Sequence, residues 1–200
     1  MPVGHRIPHT NERQALVQKT HMCCVRTFMI TYRDHKYNTE TAEGYDKSVT
    51  GISVYKLTCS GCGHKGNMIR YGHYTRHTYY DCRVEELRIQ RVRCKFCGKT
   101  HSLLPDTLVP RDLIVLQDQL QVILNYESGN DWRKTCFENP LVDEQAIRHI
   151  IKRYLRHWKE RCISEDISLY GDLVRSCFDR FGRQFMQIRR ERICFYESPT

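Results

Sequence analysis

The chain has 200 residues, enough for one ordinary domain or two small ones, and its 40% hydrophobic content suffices for a core, which excludes wholesale disorder. It carries 32 Lys and Arg against 23 Asp and Glu, a net charge of +9, so a polyanionic partner fits it better than an acidic one. No apolar run approaches the roughly 18 to 20 residues of a bilayer span, and the opening MPVGHRIPHTNERQALVQKTHMCC lacks the apolar core of an export signal. The expectation is a cytoplasmic protein without a membrane partner.

In chain order, residues 1–22 read as a disordered leader. Residues 23–56 read as an added strand, TFMITYR (27–33), followed by a polar linker, DHKYNTETAEGYDKS (34–48). The first chemistry comes at LTCSGCGHKGN, where Cys59, Cys62 and Gly63 form Cys-x-x-Cys-Gly. RVRCKFCGKTHSLLPDTLVP repeats the motif with Cys94, Cys97 and Gly98, after a gap of 31 residues. A Cys-x-x-Cys turn aims two thiolates at one ion about 2.3 Å away, and the glycine takes the positive-φ position that closes the turn. The chain holds 11 cysteines, an odd number with no export signal, so metal binding is favoured over disulfides. The bland alternative, cysteines packed as small hydrophobes, does not explain two matched pairs.

Between the pairs lie MIRYGHYTRHTYY (68–80) and VEELRIQRVR (84–93), with period-two alternation, and THSLL adds a third short strand. Residues 57–106 therefore read as a small zinc β-ribbon, with Cys59, Cys62, Cys94 and Cys97 holding a structural Zn2+. His64 and His101 lie beside the knuckles as polar neighbours or replacement ligands. Cys82, at the far turn, is not expected to bind. Tyr71, Tyr74, Tyr79 and Tyr80 interleave with Arg70 and Arg76; they read as strand aromatics before they read as base-stacking groups.

After Pro110 the period becomes helical, and residues 111–164 read as a helix-turn-helix-like unit. RDLIVLQDQLQVILNY puts Leu113, Leu116, Leu120, Ile123 and Leu124 on one face, with Asp112 as cap. NDWRKTCFE is a short second helix ending before Pro140, with Cys136 and Phe137 inward. LVDEQAIRHIIKRYLRHWKERC is the longer third, capped at Asp143 or a neighbour, with Ala146, Ile147, Ile150, Ile151, Tyr154, Leu155, Trp158 and Cys162 in its apolar stripe. Residues 146–159 contain no acid. Arg148, Lys152 and Arg156 are the expected groove contacts, flanked by His149 and Arg153, with Arg91 and Arg93 of the basic ribbon strand as further contacts. The competing reading is an ordinary solvated face. Residues 165–200 read as one amphipathic helix, broken or ended at Gly182, and a basic tail. The expected class is α+β.

LRIQRVRCKFCGKTHSLLPDTLVP and YGHYTRH resemble the zinc-ribbon segment of a bacterial family of uncharacterised small proteins associated with mobile elements. The stretch is also similar to the N-terminal zinc ribbon plus helix-turn-helix of insertion-sequence transposases. The resemblance covers about residues 57–160 and implies zinc at the four cysteines and double-stranded DNA binding tied to transposition. It does not imply catalysis, because those transposases carry a separate nuclease domain after this module. Asp106, Asp112 and Asp118 do not share a helix face, and no Gly-x-Ser-x-Gly, phosphate loop or His-Glu-x-x-His occurs. The expectation is a non-enzymatic DNA-binding accessory or regulatory protein. The alternatives are a module docking a transposase or polymerase subunit, and a single-strand or RNA binder.

Overall fold

Five strands form one mixed sheet: β1 (Phe28–Arg33), β2 (Met68–Tyr80), β3 (Arg83–Cys94), β4 (Thr100–Pro105) and β5 (Ile193–Glu197), in the order β2-β3-β4-β1-β5. The computed structural model describes residues 28–131, 140–189 and 193–197. The class is α+β. β2, β3 and β4 follow one another antiparallel, whereas β1 runs parallel to both β4 and β5. The strands expected of a free-standing ribbon are thus the outer part of a larger sheet. Within TFMITYR, Phe28–Arg33 does add a strand, pairing with β4 and β5. The expected basic tail supplies β5, because ICFYE is rich in β-branched, aromatic and sulfur side chains that half-bury well on a pleated surface.

The stretch expected as polar linker contains α1 (Ala42–Gly51). Thr41 caps it by accepting from the Gly44 N–H, and only Gly44, Tyr45, Ser48 and Val49 are buried, so its inward stripe is too narrow and too polar to stand out in the sequence. Tyr45 is fully buried. Its hydroxyl donates to the Leu103 carbonyl at 3.0 Å and accepts from the Gln90 N–H at 2.8 Å. The β3–β4 ladder pairs only Arg91–Ser102, Val92–His101 and Arg93–Thr100, so the phenol continues the bonding where the strands separate.

The chain leaves the sheet at Pro105 and returns at Ile193, and the helices lie between: α2 (Leu116–Glu127), α3 (Glu144–His157), α4 (Lys159–Ser164) and α5 (Leu173–Phe181). Two apolar clusters result. One combines the sheet with α1 around Ile30, Tyr32, Leu87, Ile89 and Leu103; the other joins the helices around Val122, Ile147, Tyr154, Trp158 and Phe185. Phe178 tilts onto Phe195 of β5 with ring centroids 5.0 Å apart, which seats α5 on the sheet. Arg33 ties the same corner. Its guanidinium donates to Asp106 at 2.6 Å and to Asp172, the N-cap of α5, at 2.8 Å.

Several helix limits differ from expectation. α2 begins after Val115 without a side-chain cap; Asp112 instead accepts from Ile114 N–H in the preceding turn, and Leu113 is exposed. α3 is capped by Asp143 as expected, but the backbone bends at Trp158 (φ −126°) and α4 restarts. The C-terminal helix starts only at Leu173, since Asp172 caps it there, and Gly182 ends it at φ +59°. The expected short helix NDWRKTCFE, with Cys136 and Phe137, falls mainly on residues 132–139, outside the described residues.

Tyr45→Phe keeps the ring and removes both hydroxyl bonds. It is expected to destabilise the fold by about 1–3 kcal/mol, read as a lower melting temperature, because a buried N–H and C=O lose their partner. An unchanged melting curve would refute the bridging role.

Candidate metal centre and nucleic-acid interface

The two knuckles have the same backbone. Cys59 N–H donates to the His64 carbonyl at 2.9 Å and Gly63 N–H returns to the Cys59 carbonyl at 2.8 Å; Cys94 to Lys99 and Gly98 to Cys94 repeat both bonds at 2.9 Å. Each loop closes through a left-handed glycine, Gly63 at φ +78° and Gly98 at +71°, a conformation that penalises any Cβ. The second knuckle is the β3–β4 turn. The first is a loop that Met68, paired with Cys94, brings alongside it.

This juxtaposition gathers four sulfurs. Cys59 and Cys97 Sγ are 3.6 Å apart, Cys62 and Cys94 Sγ 3.8 Å, and all four lie within 4.8 Å of one another. A tetrahedral ion with bonds of about 2.3 Å requires edges of about 3.8 Å, so the donor set fits one metal ion with no open position. Cys59 and Cys94 are buried against the sheet core, and Cys62 and Cys97 close the outer side. Burial pushes the Cys59 thiol up to about 12, so loading a cation displaces protons from the cluster. Cys82, exposed at the β2–β3 turn, lies outside the cluster.

His101 stands behind Cys59 rather than in place of it. It is fully buried, with Nε2 3.2 Å from Cys59 Sγ and Nδ1 3.1 Å from Ser60 Oγ. Burial lowers its pKa to about 4, so the ring is neutral. One tautomer satisfies both contacts: Nε2–H donates to the sulfur, and the Ser60 hydroxyl donates to Nδ1. His64 turns outward and stacks on Phe96 with centroids 3.6 Å apart.

The expected groove contacts on α3 separate into two kinds. Ile147, Ile150 and Tyr154 are buried, while His149, Lys152 and Arg156 are exposed on the outer side. Arg148 is exposed and paired with Glu144 one turn back. Arg153 is mostly buried in an ion pair with Asp112 and lies 3.5 Å from Gln119, so it fastens α3 to α2. On the sheet, Arg91 and Arg93 lie within 5.8 and 5.5 Å of the Tyr71 ring centroid. Sequence reasoning missed the Tyr45 bridge and the Phe96–His64 stack. The signal for the latter was present: in CKFCG the phenylalanine sits inside a turn whose two cysteines face inward, which forces its ring out.

A family model described as Domain of unknown function (DUF6431) matches residues 59–150. The match starts on Cys59 and runs through both knuckles, the hairpin and α2 into the middle of α3. No curated protein and no solved structure matches the chain. Among the described residues, no helix is long and apolar enough to cross a membrane.

Elemental analysis of the purified chain is expected to give one bound metal ion, and Cys94→Ser to abolish it and lower the melting temperature. His101→Phe should retain the one-ion stoichiometry while weakening competition against a chelator by about 10–100-fold. Unaltered chelator competition would show that the imidazole does not support the sulfur.

Proposed function

We propose that the protein is a zinc-stabilised, non-catalytic DNA-binding protein that acts as an accessory or regulatory factor of a mobile element. Zinc is the metal of choice for four thiolates in a tetrahedral arrangement, since it needs no redox partner and no fifth ligand. The observation that carries DNA binding is the asymmetry of α3. One face is locked into the helical core, and the other presents His149, Lys152 and Arg156 in a run, 146–159, without a single acid. Cations of that kind neutralise phosphates and release counterions. Ile151 and Leu155 lie between them as apolar groups of the sort that meet thymine methyls in a major groove. Arg153 is not part of the contact set, because Asp112 already neutralises it.

The non-catalytic reading rests on the state of the acids. Asp106 is engaged by Arg33 and Asp112 by Arg153, so neither is a spare carboxylate for a metal-dependent nuclease. The link to mobile elements rests on the resemblance around residues 87–110. A second reading is favoured by one observation: Leu155 is 38% exposed beside Ile151, an apolar strip that also suits docking of a transposase or polymerase subunit.

Lys152→Ala combined with Arg156→Ala is expected to weaken duplex binding and to reduce the slope of log affinity against log salt by about 2, with metal content and melting temperature retained. An unchanged slope and affinity would remove α3 from the interface and leave the docking reading.

A further inference from the structure

The charge of this protein is not concentrated on α3. Residues 47–80 and 87–105, which build the knuckles, β2, most of β3 and β4, contain ten Lys and Arg and not one Asp or Glu. At the metal end of these acid-free stretches, aromatic rings stand in the open. Phe96 is 64% exposed although it sits between two ligand cysteines, and it rests on His64, whose ring is nearly parallel at 20°. Tyr71 is 45% exposed and has Arg91 and Arg93 within cation–π distance. These are one surface rather than two. The Arg93 guanidinium that lies near Tyr71 also reaches within 3.8 Å of where a Cβ on Gly98 would stand, in the same knuckle that carries Phe96. The Lys95 N–H, next to Phe96, donates to the Asn67 carbonyl at 2.8 Å, so both loops are fixed in relation to β2.

We propose that this knuckle end binds unpaired DNA nucleotides, stacking bases on the Phe96–His64 pair and on Tyr71 while Arg91, Arg93 and Lys95 hold the strand's phosphates. A duplex phosphate backbone would use the cations but would leave Phe96 without a partner. An exposed π face bordered by Lys and Arg matches an unstacked base, because every base offers a ring to stack and a phosphate to neutralise. A protein partner would more naturally bring acids to this surface, and protein surfaces offer no regular alternation of flat ring and anion. The surface extends the nucleic-acid reading of α3 and rests on it only for the duplex that adjoins the unpaired strand. A protein that holds a duplex by a helix and an adjoining single strand by its metal end would act at DNA ends or junctions.

The test uses the purified full chain with its metal and three fluorescent probes: a short blunt duplex, the same duplex with a single-stranded oligo-dT extension, and oligo-dT alone. The extension is expected to tighten binding by about tenfold or more over the blunt duplex. Phe96→Leu with Tyr71→Leu should erase that gain and weaken oligo-dT binding to the same degree, leaving blunt-duplex affinity within about twofold. If the double variant loses metal, Phe96→Leu alone carries the test, since its ring is largely outside the core. Equal affinity for blunt and extended duplexes, or a gain that survives the leucine substitutions, overturns the inference. Loss of blunt-duplex binding with the extension effect intact would overturn the α3 reading instead and leave this one standing.

Discussion

Everything in the sheet's outer half depends on four sulfurs meeting across a gap of 31 residues. The two knuckles are short loops with few apolar side chains of their own. What fixes them is a pair of identical backbone turns whose cysteines converge on a space the size of one ion. Thiols in that space repel one another's ionisation, and a cation resolves the conflict by replacing protons. The buried half of the cluster, Cys59 and Cys94, belongs to the same apolar cluster as Leu87, Ile89 and Leu103. A metal ion there would extend the core, with His101 and Ser60 supporting Cys59 from behind and Cys62 and Cys97 on the outer side.

The helices answer to a different constraint. They are inserted between β4 and β5, so both ends of the segment are held by the sheet. β4 and β5 run in the same direction on either side of β1, and strands of one direction need a long crossover, which the helical cluster makes. Arg33, on β1, reaches Asp106 at the exit and Asp172 near the return, and its guanidinium also lies over the ring of Phe195. Gln184 donates to the carbonyls of Asp106 and Leu108 at 2.8 Å, binding the end of the helical segment to its beginning. The exposed side of α3 is thereby set at a fixed position on the body that also carries the acid-free knuckle end of the sheet, which is what a surface of several cationic parts requires.

The separation of charges within α3 follows the same logic. A helix with cations on nearly every outward turn would repel itself, and the fold removes two of them from the account. Arg148 meets Glu144 within the helix and Arg153 meets Asp112 across it. Lys152 and Arg156 are exposed one turn apart on one side.

The sequence by itself determined the four cysteines that cluster, the three antiparallel strands and, to within a residue, the cap of α3. Those signals are local: a Cys-x-x-Cys-Gly turn, a period of two, and an Asp ahead of an apolar stripe each act over a few residues. It did not determine that DHKYNTETAEGYDKS would carry a helix, because α1 is anchored by strand residues far away in the chain, through the Tyr45 hydroxyl and through Arg70, which donates to the Val49 and Ile52 carbonyls. Nor did it determine that the last apolar run would close the sheet beside β1, since strand partners 164 residues apart leave no local mark. Tertiary structure also decided which arginines are structural. Arg153 and Arg156 read alike in a helical period, and only the position of Asp112 on a neighbouring segment separates an ion pair from an exposed cation.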